Sequence, residues 1–441
     1  MNKGSCPISF EIPDSAKEKM NILLFSQYFW PENFRINDVV KNLLQEQVAV
    51  EIVTAQPNYP QGKIYDGYSA WKMTKDQFGE ALVHRLPIVA RGTGSAIRLI
   101  LNYLSFVLSG IVFAPFFLRR KPVDVVFVYA PSPLLQAIPA IFMKWIKGAK
   151  LVIWVQDLWP ESLEATGFIR NRRVLALVRM VVRWIYRHTD LILVQSEAFI
   201  DPVAALSTRE KIRYLPNPAG DVFSVSYPVQ DCPINMTDDG FSIVFAGNLG
   251  SAQSLETIIE AAALLGDTPD IRIFLVGDGS RAEWVRNQVE ARSLTNVVMP
   301  GMFPIEAMPS IFRRADALLV TLKDEGIFSL TVPSKIQAYL AMGRPIIACL
   351  NGEGARVVEA AGAGVSCAAE DAHGLAAAMR ALSKTPVSDL DQFGRNAIAY
   401  FETHFDSQLL TKLLISYLEN ITLGGRDRAR SACGAEKPEN H

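Results

Sequence analysis

The sequence predicts an α/β protein with two Rossmann-like domains and a cleft between them. Short apolar runs alternate with amphipathic stretches along the chain, which is typical of βα units around parallel sheets. The 441 residues exceed the size at which one hydrophobic core stops growing. A composition of 49% hydrophobic and 20% charged residues excludes a disordered chain. In such folds ligands bind at the carboxyl ends of the strands.

Ten apolar runs are predicted to be buried strands, five in each domain. In the first domain they are Ile22–Phe25, Val50–Thr54, Val125–Tyr129, Leu151–Val155 and Leu191–Gln195. In the second domain they are Ser242–Ala246, Arg272–Val276, Asn296–Met299, Ala317–Thr321 and Pro345–Leu350.

The chain is expected to divide into six segments, with a linker where Pro, Asp and Gly are frequent and no periodicity is present. They are a disordered extension (1–19), a first domain (20–222), the linker (223–240), a second domain (241–395), C-terminal helices packing near the domain junction (396–423) and a disordered tail (424–441). The extension lacks the apolar run of a secretory signal. The five cysteines form no CxxC pair, which indicates a reducing cytoplasm and no zinc site.

The net charge of −1 conceals a strong asymmetry. Residues 1–223 carry 26 Lys and Arg against 19 Asp and Glu, a net of +7, whereas residues 224–441 carry −8. The window 85–187 alone carries +11. A polyanionic substrate, an anionic membrane surface and a merely solvated face each explain this window. The overall balance excludes a general nucleic-acid polycation, so no nucleic-acid partner is expected.

The segment 99–118 contains 20 residues without a charge. Its length would span a bilayer, but one crossing would separate strands that belong to one sheet. Polar residues from Arg98 to Ser109 recur at intervals of three and four, along one helix face. A helix buried against the sheet, a helix lying in the membrane plane and a true span therefore stay open. The arginines of 170–187 predict a second helix with a basic face.

Three segments of the second domain are predicted to hold a nucleotide diphosphate. Two are glycine loops that follow strands: Gly247 and Asn248, then Gly277, Asp278 and Gly279. Backbone N–H groups at such turns receive anions when glycine lets the phosphate come close. The third segment places Ser334 and Lys335 in the first turn of a helix that Pro333 begins. A lysine there opposes the helix dipole and favours an anionic partner, although an ordinary capped helix is the alternative.

Polar residues at strand ends of the first domain are candidates for acceptor binding. They are Arg35, Asn58, Tyr59, Gln156, Asp157 and Glu161. The last three lie among tryptophans, and carboxylates beside aromatic rings are suited to a sugar. Asp157 can orient a hydroxyl or assist proton transfer, or it can cap the following helix.

These residues, in this order, resemble the family-4 retaining glycosyltransferases of GT-B fold over roughly residues 20–420. The resemblance includes Pro31, Ser196, the segment 214–218 with Asp221 and Phe223, the two glycine loops, Gly301, the pair 315–316 and the segment 341–345. More specific motifs resemble the branch of WbuB-type N-acetyl-L-fucosaminyltransferases and colanic-acid-type enzymes. They are 34–38, 57–60, 98–106, 156–162 and 333–335.

The resemblance implies a GT-B enzyme that builds O-antigen, capsule or exopolysaccharide units at the cytoplasmic face of the bacterial inner membrane. It would transfer a sugar, an N-acetylated deoxyaminosugar, from a UDP-sugar to an undecaprenyl-diphosphate-linked acceptor with retention. No cofactor or obligatory metal is implied. Lys335, Ser334 and the Gly247 loop would stabilise the leaving diphosphate, and the first domain would hold the acceptor.

The sequence departs from the family at three places. The two family glutamates correspond to Leu330 and Ala338, so Glu325 becomes the candidate for one of their roles. The basic pair after the Gly247 loop is missing, which leaves Lys335 with Arg281 as candidate cations. Gln156 stands where the family often has histidine. Two alternatives stay open: an epimerase-like enzyme of nucleotide sugars, and a catalytically silent, membrane-associated scaffold for polysaccharide assembly.

Overall fold

The computed structural model contains two separate α/β units, each built around its own sheet. It describes residues 19–165, 169, 171–224, 227–228, 231–236, 240–266, 268 and 270–433, with side chains as far as residue 423. The two sheets confirm the predicted pair of Rossmann-like domains. The predicted extension 1–19 lies outside the described residues except for its last residue.

The first domain has an eight-stranded sheet in the order β3-β4-β2-β1-β5-β6-β7-β8. Its strands are β1 (Asn21–Phe25), β2 (Ala49–Ala55), β3 (Thr74–Phe78), β4 (Ala81–Leu86), β5 (Val125–Ala130), β6 (Lys150–Val155), β7 (Leu191–Val194) and β8 (Ile212–Tyr214). Only β3, at the edge, runs antiparallel to its neighbour among the described strands of this sheet. All five predicted runs are strands, and their apolar residues are buried on both faces, as in a parallel sheet covered by helices.

Helices cover both faces of this sheet. They are α1 (Arg35–Gln45), α2 (Ala96–Phe117), α3 (Ala137–Lys147), α4 (Glu161–Ala165), α5 (Arg172–His188) and α6 (Ile200–Ala204). One core cluster joins residues of α2, α3 and α5 to the sheet, so these three helices share a face. The other face packs against α1 and against the last helix of the chain.

The second domain has a six-stranded parallel sheet in the order β11-β10-β9-β12-β13-β14. Its strands are β9 (Phe241–Ala246), β10 (Ile271–Val276), β11 (Val297–Gly301), β12 (Ala317–Thr321), β13 (Ile346–Cys349) and β14 (Gly364–Cys367). Its helices, continuing to the end of the described chain, are α7 (Leu255–Leu264), α8 (Ala282–Ala291), α9 (Met308–Arg314), α10 (Gly326–Ser329), α11 (Ser334–Met342), α12 (Glu353–Ala360), α13 (Ala372–Ser383), α14 (Val387–His404) and α15 (Ser407–Cys433).

The last helix returns to the first domain. Leu410, Leu414 and Leu418 of α15 are buried in the cluster that lies beneath β1 and β2. The prediction of a disordered tail from residue 424 was wrong for 424–433, because the backbone of α15 continues to Cys433. The apolar residues in the middle of α15 predict where this helix packs. They do not show how far the helix continues into its polar C-terminal end.

The polar stripe of α2 faces the protein, and its apolar stripe faces outward. Asn102 is fully buried, and Ser109 donates to the Pro87 carbonyl at 2.8 Å. On the outer face Leu108, Val112 and Phe116 are 64%, 62% and 77% exposed. Among the described residues α2 is the one helix long and apolar enough to cross a membrane, with 33% of its apolar window buried.

The arginine-rich helix α5 also exposes apolar residues. Leu177 and Met180 are 57% and 65% exposed. Val182 and Ile185 are buried and form the inward stripe. The sequence alone does not show which apolar residues of α5 face inward, because this helix has more apolar residues than one face can bury.

Candidate active site

The two glycine loops of the second domain lie against each other at the carboxyl ends of β9 and β10. The Gly247 N–H donates to the Val276 carbonyl and the Leu249 N–H to the Asp278 carbonyl, both at 2.9 Å. Gly277 has φ +139°, and a Cβ there would overlap the backbone of Gly247. Only glycine therefore allows the two loops to approach so closely.

Lys335 reaches this pair of loops from the first turn of α11. A Cβ at Gly247 would lie 2.9 Å from Lys335 Cε. The ammonium group donates to Gln253 Oε1 and stands 3.6 Å from the centre of the Phe245 ring. Desolvation lowers its pKa to about 7. Within the described part of the chain no carboxylate lies within 4 Å of this ammonium group.

The other predicted donor residues surround this lysine. Asn248 lies against Gly250, where a Cβ would come within 2.7 Å of its Nδ2. Asp278 accepts from the Gly279 N–H at 2.8 Å, and Ser334 is exposed at the start of α11. Arg281 forms an ion pair with Glu256 and stands 4.2 Å from the Trp284 ring, so its charge is already offset. Lys335 is therefore the cation best placed to neutralise a diphosphate.

Glu325 begins the short helix α10, which contacts α4 of the first domain. Ile327 and Leu330 pack against the first domain's core. Leu330, at a position where the family has a glutamate, thus supplies an apolar contact between the domains. The candidate carboxylate of Glu325 stands at the start of this contact. A second link between the domains is the ion pair of Arg356 with Glu197 at 3.2 Å.

On the first domain, Asp157 follows β6 and precedes α4. Its Oδ2 accepts from the Ser162 hydroxyl at 3.0 Å, which holds the carboxylate against the first turn of α4. Burial raises the pKa of Asp157. Glu161 stands 3.6 Å from Arg179, and Gln156 Nε2 is buried without a partner among the described residues.

Arg35 and the Asn58–Tyr59 pair occupy different parts of the first domain's edge. Arg35 donates to the Pro218 carbonyl within the same domain, and burial lowers its pKa. Tyr59 is 36% exposed and lies 5.2 Å from the Phe34 ring, while Asn58 is buried. The geometry leaves Tyr59 open to a ligand, whereas Arg35 and Asn58 have partners inside the protein.

Glu32 is a residue of this edge that the sequence analysis missed. Its Oε1 accepts from the N–H groups of Asn58 and Tyr59, each at 2.7 Å, and Oε2 accepts from Phe29 N–H at 3.3 Å. Burial raises its pKa to about 7. Its place directly after Pro31, a residue of the family resemblance, was the one available signal.

Replacing Glu32 with alanine is expected to destabilise the protein by about 2–3 kcal/mol, because three N–H groups lose their acceptor and two of the three hydrogen bonds are buried. Urea unfolding measures this cost, with the exposed Glu46→Ala as the matched control. The pKa of Glu32 is about 7 in the folded protein and 4.5 as a model group, so the folded state binds the extra proton between these pH values. The contribution of Glu32 to stability therefore falls as the pH rises from about 4.5 to about 7. Equal stability of the two variants would contradict this account of the loop.

The described residues contain no group of three or more His, Cys, Asp or Glu side chains suited to a metal ion. Of the four described histidines, His84 is buried within β4, His188 ends α5, His373 lies in the first turn of α13 and His404 ends α14.

Comparison with known families matches both domains. Residues 33–218 match the glycosyl transferase 4-like domain, and residues 240–385 match the glycosyl transferases group 1 family. The putative colanic acid biosynthesis glycosyl transferase WcaI of Escherichia coli K12 is 25% identical over 344 residues, covering 74% of this chain and 82% of that protein. The probable glycosyltransferase WbjE of Pseudomonas aeruginosa is 26% identical over 277 residues, covering 61% and 68%.

Solved structures of similar fold are glycosyltransferases at low identity. Sucrose-phosphate synthase from Thermosynechococcus elongatus superposes with a TM-score of 0.71 at 14% identity, over 92% of this chain and all of that one. WaaG, a glycosyltransferase involved in lipopolysaccharide biosynthesis, gives 0.63 at 13% identity over 90% and 99%. Anabaena HepE, solved with UDP and glucose, gives 0.62 at 14% identity over 91% and 100%. The expected GT-B fold is confirmed.

Proposed function

Because the chain is a glycosyltransferase with a 4-like domain followed by a group 1 domain, we propose that it transfers a sugar from a UDP-sugar to an undecaprenyl-diphosphate-linked acceptor. Lys335 is the observation that supports the UDP-sugar as donor. Its ammonium group lies at the two glycine loops and has no carboxylate partner among the described residues. A diphosphate supplies the two negative charges that this site lacks. The relatives' names, and UDP in the HepE structure, support a nucleotide-sugar enzyme of polysaccharide biosynthesis.

The finer parts of the proposal rest on the sequence motifs. The donor is an N-acetylated deoxyaminosugar, as in the WbuB-type branch, and the transfer retains configuration. The product belongs to O-antigen, capsule or exopolysaccharide. No metal or other cofactor takes part.

In the proposed reaction the bond between the anomeric carbon and the diphosphate breaks, the acceptor hydroxyl oxygen forms the new bond to that carbon, and the hydroxyl proton passes to the leaving UDP. Negative charge grows on the UDP as its bond to the sugar breaks. Lys335 stabilises that charge together with the N–H groups of the Gly247 loop. The contact between α10 and α4 supports a role for Glu325 and Asp157 in one site. The acceptor hydroxyl would enter there, beside the apolar side chains of Ile327 and Leu330.

A panel of UDP- and GDP-sugars tests this proposal. The purified protein is incubated with each donor, and binding, hydrolysis and transfer to a lipid-linked acceptor are measured. We expect binding and slow hydrolysis of at least one UDP-sugar, and transfer when the acceptor is added. A protein that binds no nucleotide sugar would refute the proposal. An epimerase-like reaction would appear as a changed sugar without release of UDP.

The proposal also includes a location, the cytoplasmic face of the inner membrane. The shared face of α2, α3 and α5 exposes apolar side chains next to one another: Ile97, Leu108, Val112, Phe116, Trp145, Ile146, Leu177 and Met180. The Trp145 and Trp184 rings, from α3 and α5, stand 6.5 Å apart, so the apolar surface continues from helix to helix. We call this set the apolar face.

Exposed basic residues lie on or next to the helices of the apolar face. Arg119, Arg120 and Lys121 follow α2, and Arg179, Arg183 and Arg187 belong to α5. An anionic leaflet attracts each basic residue near its surface by about 1 kcal/mol. An apolar centre with a basic rim complements an anionic bilayer surface, which is the occupant we assign to it.

Replacing Leu108 with glutamate is expected to lower binding to phosphatidylglycerol vesicles at least tenfold, because burial of a leucine side chain is worth about 1.5–3 kcal/mol. Vesicle flotation measures the bound fraction. Val387→Glu, at a site 73% exposed in α14, is the matched control and should bind normally. A triple variant, Arg179, Arg183 and Arg187 to Gln, should dissociate at lower salt than the parent. Unchanged flotation of both test variants would refute the location.

A further inference from the structure

Arg91 lies in the loop between β4 and α2, at the carboxyl edge of the first sheet. Its backbone N–H donates to Asn58 Oδ1 at 3.1 Å, and its guanidinium donates to the Tyr28 hydroxyl at 3.2 Å. The guanidinium carbon stands 5.3 Å from the centre of the Tyr59 ring. The side chain is therefore held in a defined position beside the one predicted acceptor residue of this edge, Tyr59, that is open to a ligand.

The charge of Arg91 is not offset within the described residues. No described carboxylate stands within 4 Å of its guanidinium. Arg85, on the preceding strand, differs because it is fully buried and paired with Asp76. A guanidinium that is fixed in position and not neutralised is suited to bind phosphate oxygens, because its planar N–H groups match them in pairs.

A chain of hydrogen bonds leads from Arg91 toward α4. The Tyr28 hydroxyl, which accepts from Arg91, also hydrogen-bonds Tyr103, and Tyr103 hydrogen-bonds Ser132. Trp159 Nε1 donates to Ser132 Oγ at 3.2 Å. The Trp159 ring also lies beside Asp157. Because Tyr28, Tyr103 and Trp159 are buried, this chain connects Arg91 through the protein to α4, which contacts α10 of the second domain.

In the other direction from Arg91 the surface becomes apolar. The helix α2 begins at Ala96, five residues later, and its first turns expose Ile97, Ile100 and Leu101 by 72%, 47% and 46%. One side of Arg91 therefore leads, through buried hydroxyl groups, to the partly exposed Asp157, and the other side exposes aliphatic side chains. A molecule with an apolar chain, a phosphate group and a sugar, in that order, matches this sequence of surfaces.

We propose that Arg91 binds the diphosphate of the lipid-linked acceptor, with the lipid chain along the first turns of α2 and the sugar toward Asp157. This inference rests on the proposed function, because it assigns one group of its acceptor to one side chain. It makes Arg91 a positioning residue, which fixes the acceptor and takes no part in bond exchange.

Binding of farnesyl diphosphate in the presence of saturating UDP tests the assignment, because UDP occupies the donor site. Calorimetry on Arg91→Gln is expected to show at least tenfold weaker binding than the parent. Arg213→Gln, an exposed arginine on β8, is the matched control and should bind like the parent. Arg91→Lys should recover part of the loss. Inorganic pyrophosphate, which lacks the lipid chain, should bind the parent at least tenfold more weakly than farnesyl diphosphate.

A second readout separates positioning from folding. Hydrolysis of the UDP-sugar without acceptor should be equal in Arg91→Gln and the parent, while the KM for a lipid-diphosphate acceptor rises at least tenfold and kcat stays within about twofold. Farnesyl diphosphate that binds Arg91→Gln as tightly as the parent would overturn the inference. So would a parent that does not bind farnesyl diphosphate, or that binds pyrophosphate equally well. Failure of the proposed function itself would appear differently, as absence of UDP-sugar binding in the parent.

Discussion

Replacing Lys335 with methionine is expected to reduce turnover of the UDP-sugar at least 100-fold. Methionine keeps the length and apolar stem of lysine but removes the charge that would meet the leaving diphosphate. Loss of one such stabilising group costs about 10²–10³ in kcat in enzymes that depend on charge stabilisation. Arg281, the other cation predicted for this site, is already paired with Glu256. Donor hydrolysis and sugar transfer, both measured at saturating donor, report the loss.

The matched control is Lys384→Met, at the exposed end of α13. Unfolding separates a chemical effect from a folding defect. Because burial lowers the pKa of Lys335 to about 7, from 10.5 as a model group, the unfolded chain binds the extra proton between these pH values and stability rises with pH. Lys335→Met should therefore be as stable as the parent at pH 7 or more stable. Full turnover by Lys335→Met would contradict the assignment of Lys335 to the donor site.

Replacing Gly277 with alanine is expected to destabilise the second domain by about 2–4 kcal/mol and to abolish measurable donor binding. The new Cβ would overlap the Gly247 backbone, and φ +139° is a conformation that L residues rarely adopt. The two loops would have to separate, and the N–H groups around Gly247 would lose their arrangement. Denaturation and UDP-sugar titration measure the two effects.

The matched control for this prediction is Gly67→Ala. Gly67 also has a positive φ of +84°, but nothing lies within 4 Å of a Cβ built there. It should lose stability by about 1 kcal/mol and keep donor affinity. If Gly277→Ala behaves like Gly67→Ala, the contact between the glycine loops has no role in binding.

The strands that the sequence predicted are those with continuous apolar runs, such as Ile22–Phe25 and Ser242–Ala246. The sequence analysis missed four strands: β3, β4, β8 and β14. Strand β3 reads TKDQF, a polar strand at the sheet edge, and β8 has three residues. Neither carries the apolar run of a strand buried on both faces, so their pairing depends on the neighbouring strand.

The proposed donor site could be predicted more fully than the proposed acceptor site. The sequence predicts that Lys335 and the glycine loops lie together, because a helix start and strand ends bring short motifs together in one domain. Glu32 and Arg91 act through contacts between loops far apart in sequence, and Arg91 follows the strand β4 that the sequence analysis did not identify. The sequence could not show which face of α2 points into the protein, for a similar reason. Asn102 on that face accepts a hydrogen bond from Gln27 Nε2 at 2.7 Å, and these two residues are far apart in sequence.

The measurement that tests the central claim most directly is proton uptake when a UDP-sugar binds at pH 8. In the free protein Lys335 is mostly neutral at this pH, because its pKa is about 7, and a bound diphosphate restores the ammonium form. Calorimetry in two buffers of different ionisation enthalpy should therefore show uptake of about one proton per UDP-sugar in the parent, and almost none in Lys335→Arg, which is always charged. Binding without proton uptake in the parent would contradict the claim that Lys335 holds the donor diphosphate.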